Sequence, residues 1–274
     1  MAKMKRTFVY LFLSVISFVS IFPFLWMIIS STNPSVDVTK GKLLPGSYFM
    51  DNVRKLMDST ELLQALYNSA VIAIVTTVLA MVIASLAGYG FEIFRSKTRD
   101  AVFNILLLSM MIPFAALMVP LYRFFADISR FAPAIGINSI SAVILPTVTT
   151  AFLIFFFRQS TKMFPKDMLE AGRIDGLTEI GIFFKIFMPT MKTTYAAAGI
   201  ITFMASWNNY LWPLIVLQTP EKKTMPLLIS NLGAGYAPDY GVIMTAIVIA
   251  TIPTALVFFL LQKHFVAGMT GSVK

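Results

Sequence analysis

The stretch EAGRIDGLTEIGIFFKIFMP, Glu170 to Pro189, sets five charged residues (Glu170, Arg173, Asp175, Glu179 and Lys185) inside a chain that is 57% hydrophobic and only 13% charged. An ordinary soluble domain carries about a quarter charged residues. On either side lie uncharged apolar runs, 131–157 before it and 193–218 after it. Each exceeds the ~20 residues needed to cross a hydrocarbon core. The segment is a polar interruption between two membrane-crossing pieces, and what it builds decides the fold.

Working outward, the 274 residues hold six such runs, 7–29, 66–90, 101–122, 131–157, 193–218 and 240–262, with the interruption at 162–192. The expected fold is all-α, a polytopic membrane helix bundle of six transmembrane helices in one transmembrane domain, 1–274. The first run follows Lys3, Lys5 and Arg6. It outlasts the apolar stretch of a signal peptide, about 7–15 residues, and no A-x-A site follows, so it reads as a retained span. With six spans both termini share one side. That side carries fourteen of the 22 Lys and Arg residues, and the other side carries eight. The excess places the termini and the 162–192 segment in the cytoplasm by the positive-inside rule. The net charge of +9 is therefore read as membrane orientation and not as a nucleic-acid surface.

Several chemistries are excluded. There is no cysteine, so no disulfide, thiolate nucleophile or thiolate metal site can form, and the single histidine, His264, has no clustered carboxylates to share a metal. The nearest approach to a phosphate-binding loop, LGAGY at Leu232 to Tyr236, lacks the lysine and the Ser/Thr. The chain cannot itself be an ATPase, and no nucleophile elbow or HExxH motif offers a catalytic residue. No Asp, Glu, Lys, Arg or His stands near the middle of a run, whereas proton relays and many ion-coupled carriers depend on such groups.

Neutral polar residues do occur in the runs, among them Asn68, Thr76, Thr77, Asn104, Thr147, Thr149, Thr150, Ser206 and Thr245. Trp207, Asn208, Asn209 and Tyr210 form the densest set and are the candidates for a substrate pathway, with Trp212 beside them. Amides pair with hydroxyls and aromatic faces cover the apolar faces of a sugar ring, so the set suits an uncharged, hydroxyl-rich solute. Polar contact between helices is the other reading of the same residues. Proline punctuates the runs at Pro23, Pro113, Pro120, Pro146, Pro213 and Pro253, each removing a helical hydrogen bond.

Within the opening stretch, Pro165 suits the first turn of a helix through KDMLEAGRI, Asp175-Gly176 suits a turn, and LTEIGIFFKIF suits a second short helix ending at Pro189. Phe183, Ile186 and Phe187 fall on one face, opposite Glu179 and Lys185. From physics alone this is a compact knob or an amphipathic hairpin lying on lipid.

The residues themselves resemble the EAA motif of ATP-binding-cassette importer permeases: Glu170-Ala171-Gly172, then Asp175-Gly176, Phe183 and Pro189. IFPFLWMIISSTNP from Ile21, NSAVIAIVTTVLAMVIASLAGYGF from Asn68, MIPFAALMVPLYRFF from Met111, WNNYLWPLIVL from Trp207 and FVAGMTGSVK at the end extend the likeness over almost the whole chain. Together they resemble the smaller, MalG-type permease subunit of maltose-type carbohydrate importers. The resemblance implies the type I importer permease fold in the bacterial inner membrane. It also implies a knob that docks on an ATPase, with Glu170 as an ionic contact and Gly176 allowing close approach. Gly268, Met269, Thr270 and Gly271 would make a second contact through the C-terminal tail. The implied partners are a MalF-type permease subunit, a dimer of nucleotide-binding ATPase subunits and an extracytoplasmic sugar-binding protein, in membrane lipid. ATP and Mg would be held by the ATPase, with no cofactor on this chain. The solute would be a sugar or oligosaccharide; a glycerol-phosphate-like solute is the alternative, followed by a secondary transporter. The chain departs from the pattern at Gly172 and Leu177, where alanine is usual, at Thr193, where proline is common, and at Glu92 in FEIFRSKTRD, where the family has a more basic turn.

Overall fold

The structure, a computed structural model, describes residues 2–269. Among the described residues the regular elements are all helical. In chain order they are α1 (Ala2–Ser31), α2 (Ser35–Thr39), α3 (Phe49–Ser59), α4 (Leu62–Ile93), α5 (Lys97–Ser109), α6 (Phe114–Ile128), α7 (Ile140–Ile144), α8 (Ala151–Lys162), α9 (Lys166–Ile174), α10 (Glu179–Ile182), α11 (Met188–Thr190), α12 (Lys192–Trp207), α13 (Leu211–Val216), α14 (Met225–Gly233) and α15 (Tyr240–Met269).

Three of the apolar runs are single helices long enough to cross a membrane: Arg6–Ser31, Leu62–Ile93 and Tyr240–Lys263. Others are broken. Lys97–Ser109 and Phe114–Ile128 meet at 98°, and Ile140–Thr147 and Ala151–Lys162 at 43°. The breaks fall where the sequence loses backbone donors. Pro113 stands immediately before α6, and Pro146 sits in the 3₁₀ turn between α7 and α8. The 193–218 run is a 16-residue α12 and a 6-residue α13, separated at Asn208 to Tyr210.

The chain forms two compact units. The first comprises residues 1–63 and 225–252. Its apolar α1 buries none of the most apolar part of its length within the chain. A knot of amides sits beyond the end of α1. Asn52 Nδ2 donates to the carbonyls of Ser31 (2.9 Å) and Asn33 (3.0 Å), and Asn33 Nδ2 donates to those of Ile29 (2.9 Å) and Leu44 (3.0 Å). Thr245 Oγ1 donates to Gly241 O at 2.8 Å and also reaches Ser31 O at 3.3 Å. The bonds to Ile29 O and Ser31 O satisfy carbonyls that the end of α1 leaves free.

The second unit comprises residues 64–224 and 253–274. Its core has two layers. In the first, the small residues Ala80 and Ala84 of α4 and Ala198 of α12 pack with Phe103 of α5 and Leu153, Ile154 and Phe157 of α8. Small side chains let helices approach closely where water offers no driving force. In the second, Tyr89 of α4 packs with Phe164, Leu169, Ile182, Phe183, Phe187 and Met191, which joins the 162–192 segment to the end of α4.

Candidate functional site

The 162–192 segment is a helical hairpin. KDMLEAGRI forms α9, whose N-terminus follows Pro165 and whose C-terminus is Asp175-Gly176. Gly176 adopts φ +79°, the left-handed conformation that spares glycine a side-chain clash, and nothing stands within 4 Å of where a Cβ would be. The return is started by Thr178, whose hydroxyl accepts from Gly181 N at 3.1 Å.

One detail differs from the sequence expectation. The second helix does not stop at Pro189. It begins as α10, widens into a π turn over Phe183–Phe187 and resumes as α11, Met188–Thr190. Met188 N donates to Phe183 O, five residues back. The wider turn gives room to the carbonyl that Pro189 would otherwise strike and leaves unbonded.

The apolar side of the hairpin faces the chain. Phe183 and Phe187 are buried and stack with centroids 5.4 Å apart, and Leu169 is 2% exposed. Gly172 explains one departure from the EAA pattern: a Cβ there would lie 2.6 Å from Ile186 Cδ1 and 3.2 Å from Ile182 Cγ1. The side chains of Ile186 and Ile182 occupy the space an alanine methyl would fill. The other side is open. Glu170, Ala171, Asp175 and Gly176 are exposed, and Met163, Ile174 and Ile180 expose 81%, 86% and 71% of their surface around them. Among the described residues, no basic side chain lies within ion-pair distance of Glu170 or Asp175. The hairpin is braced by Arg173 of α9, whose Nε donates to Glu179 Oε1 at 2.7 Å. That bond holds the Glu179 carboxyl below its ordinary range.

All seven EAA-type residues thus lie on one hairpin, with Gly172 and Phe183 inside it and Glu170, Ala171, Asp175 and Gly176 on its open side. Pro189 is exposed beyond the π turn. Of the tail residues, Gly268 and Met269 end α15, and Thr270 and Gly271 lie outside the described residues.

Of the four pathway candidates, Trp207 is buried, Asn209 is half-buried, and Asn208 and Tyr210 are exposed. Trp207 is 3% exposed and stacks on Phe203 at 5.8 Å. Its cavity, about 400 Å³, is otherwise apolar except for Thr77 and includes Ile74, Val78 and Pro253. Asn208 is exposed, and its Nδ2 is spent on Met204 O at 2.9 Å, closing α12. Asn209 and Tyr210 follow in the break before α13. Neighbouring polar residues are absorbed by backbone. Asn68 Nδ2 donates to Glu221 O (2.8 Å) and Lys223 O (3.0 Å), and the buried Trp212 Nε1 donates to Ala142 O (2.9 Å). Asn138, at φ 61°, accepts from Gln218 N at 3.0 Å and Thr219 N at 3.2 Å. Thr76 and Thr77 Oγ1 are buried with no hydrogen-bond partner.

Glu92, another of the departures, proves to be half of a buried ion pair. Arg158 Nε donates to its Oε2 at 3.2 Å, with the side chains 5% and 7% exposed. Arg158 Nη2 also binds Asp100, and its guanidinium lies 4.1 Å from the centroid of the Phe103 ring. Sequence reading singled out Glu92 and missed its partner. The signal available was an arginine directly after the uncharged run 131–157.

The chain is 46% identical over 265 residues to the lactose transport system permease protein LacG of Rhizobium radiobacter, spanning 97% of this chain and 95% of that one. It is 35% identical to the arabinooligosaccharides transport system permease protein AraQ of Halalkalibacterium halodurans, over 94% and 93% of the two chains. Among solved structures, a bacterial ABC transporter involved in import of the acidic polysaccharide alginate superposes with a TM-score of 0.83 at 19% identity, over 96% of this chain and 97% of that one, and so shares its fold. The family profile described as "binding-protein-dependent transport system inner membrane component" matches residues 80–271, and the chain belongs to that family.

Proposed function

We infer that the chain is the permease subunit of an ATP-driven sugar importer, forming half of a heterodimeric pathway with a MalF-type permease. The single observation that carries the coupling part of this reading is the hairpin 162–192: a buried aromatic base on the chain's own helices and an open tip at Glu170, Asp175 and Gly176. Such a tip suits a cleft on a P-loop ATPase, which would hold ATP and Mg and supply what this chain lacks. Glu170 makes no ion pair among the described residues and can meet an arginine or lysine of that subunit. ATP then drives transport by binding more tightly to one arrangement of the assembly than to the other. With six spans, the excess of Lys and Arg on one side would place both termini in the cytoplasm, and an extracytoplasmic binding protein would deliver the solute.

A neutral solute is favoured over a phosphorylated one by the state of Arg158. It is the buried cation among the described residues, and it is already matched by Glu92 and Asp100. The relatives that transport lactose and arabino-oligosaccharides point to the same class. The test has two parts. The tagged chain, extracted from its native membranes in mild detergent, should bring down a P-loop ATPase and a second permease in fixed ratio, and Glu170→Ala should lose the ATPase. Cells carrying the system should take up labelled lactose or arabino-oligosaccharide and not glycerol 3-phosphate. Unchanged ATPase recovery with Glu170→Ala sinks the ionic contact, and uptake of glycerol 3-phosphate alone sinks the sugar.

A further inference from the structure

The last turn of α4 is fastened in three directions within five residues. At Gly88, a Cβ would lie 2.7 Å from Arg158 N and 2.7 Å from Phe157 Cβ, so α4 and α8 meet main chain to main chain. One residue on, Tyr89 turns by about 100° around the helix and enters the hairpin. Its ring lies 5.4 Å from that of Phe183 and 4.9 Å from that of Phe187, and its hydroxyl donates to Glu179 Oε2 at 3.4 Å. Glu179 is the carboxylate that Arg173 of α9 also grips. Glu92 returns to the Gly88 face and holds Arg158, which in turn holds Asp100 in the first turn of α5.

Both helices of the hairpin, α8 and α5 therefore converge on Gly88 to Glu92. Close-packed interiors transmit displacement without absorbing it, and separating a buried ion pair leaves uncompensated charge. We propose that this turn is the joint that passes movement of the hairpin into the membrane helices, with Tyr89 as the positioning residue on the receiving side and the Glu92–Arg158–Asp100 set handing the movement to α8 and α5. This rests on the reading of the hairpin as the ATPase-docking element.

The test uses the complete importer in membranes. The chain has no cysteine, so a Tyr67→Cys background, at a position of α4 that is 63% exposed, carries one thiol. Its rate of reaction with a water-soluble maleimide is measured with and without ATP plus vanadate, in that background and with Tyr89→Phe or Glu92→Gln added. Tyr89→Phe keeps the ring and removes only the hydroxyl, so it decides the matter if Glu92→Gln fails to accumulate. The expected result is an ATP-dependent change in labelling that shrinks about fivefold or more in the variants while the ATPase still co-purifies with the chain. A background chain that retains its ATPase but labels at the same rate in both conditions, or variants that respond as the background does, overturns the joint alone. A background chain that recovers no ATPase overturns the docking reading and the joint with it.

Discussion

Gly176 and Gly88 are glycines for opposite reasons, and substitution separates them. At Gly176 the space is empty and the backbone is the constraint, with φ +79°. Asparagine tolerates that region, whereas a bulky residue costs about 1–2 kcal/mol. At Gly88 the neighbours are the constraint, because the backbone of α8 lies 2.7 Å from a would-be Cβ and cannot rotate away as a side chain can. Gly88→Ala should cost about 1–3 kcal/mol by overpacking and lower the melting temperature of the purified chain in detergent. Gly176→Asn should leave that temperature close to wild type. Gly176→Phe should keep the protein in the membrane and abolish uptake, since its side chain projects from the open tip. A melting temperature lowered more by Gly176→Asn than by Gly88→Ala would reverse this assignment.

At the scale of elements, the hairpin is braced by one ion pair that links its two helices, and that pair has a defined pH range. Arg173 holds the Glu179 carboxyl below its ordinary value of 4.5, so the contribution to folding is present above that value and is lost as pH falls through the lowered one. Both side chains are about two-fifths exposed, at 42% and 41%, so water screens the pair. Hydrogen exchange should show hairpin amides better protected in the parent than in Arg173→Gln at neutral pH, with the difference vanishing in acid; a difference that persists at pH 2 would assign the protection to packing. Much of this element was legible in sequence. The Pro165 start, the Asp175-Gly176 turn and the buried Phe183/Phe187 face all follow from local rules. The π turn was not, because Pro189 signals a lost hydrogen bond and local sequence does not say whether the helix ends or widens to absorb it. The Glu92–Arg158 pair was illegible for a different reason: its members are 66 residues apart, and only the packing of α4 on α8 brings them together.

At the scale of the whole molecule, uncharged runs betray membrane helices, and their interruptions follow from Pro113, Pro146 and the Asn208-Asn209 pair. Sidedness rests on loop charge alone. Lys40, Lys42 and Lys222 should react with a membrane-impermeant amine reagent applied to intact cells after removal of the outer envelope, and Lys162, Lys166 and Lys185 only in inverted vesicles. Labelling of Lys185 from outside would invert the topology and remove the hairpin from reach of ATP. The pathway is the part least legible in sequence. Composition offered amides and aromatics, but Asn68 and Asn208 donate to carbonyls of their own chain, and Trp212 is core.

Arg158 answers to two carboxylates on two helices, and that constrains inheritance. A lineage that loses Asp100 keeps a neutral pair. One that loses Arg158 first leaves Glu92 buried with no counter-charge, a state that selection discards before a second change can arrive. Arg158 is therefore expected to be the last of the three to change, since either carboxylate alone still pairs with it and its loss strands the buried Glu92.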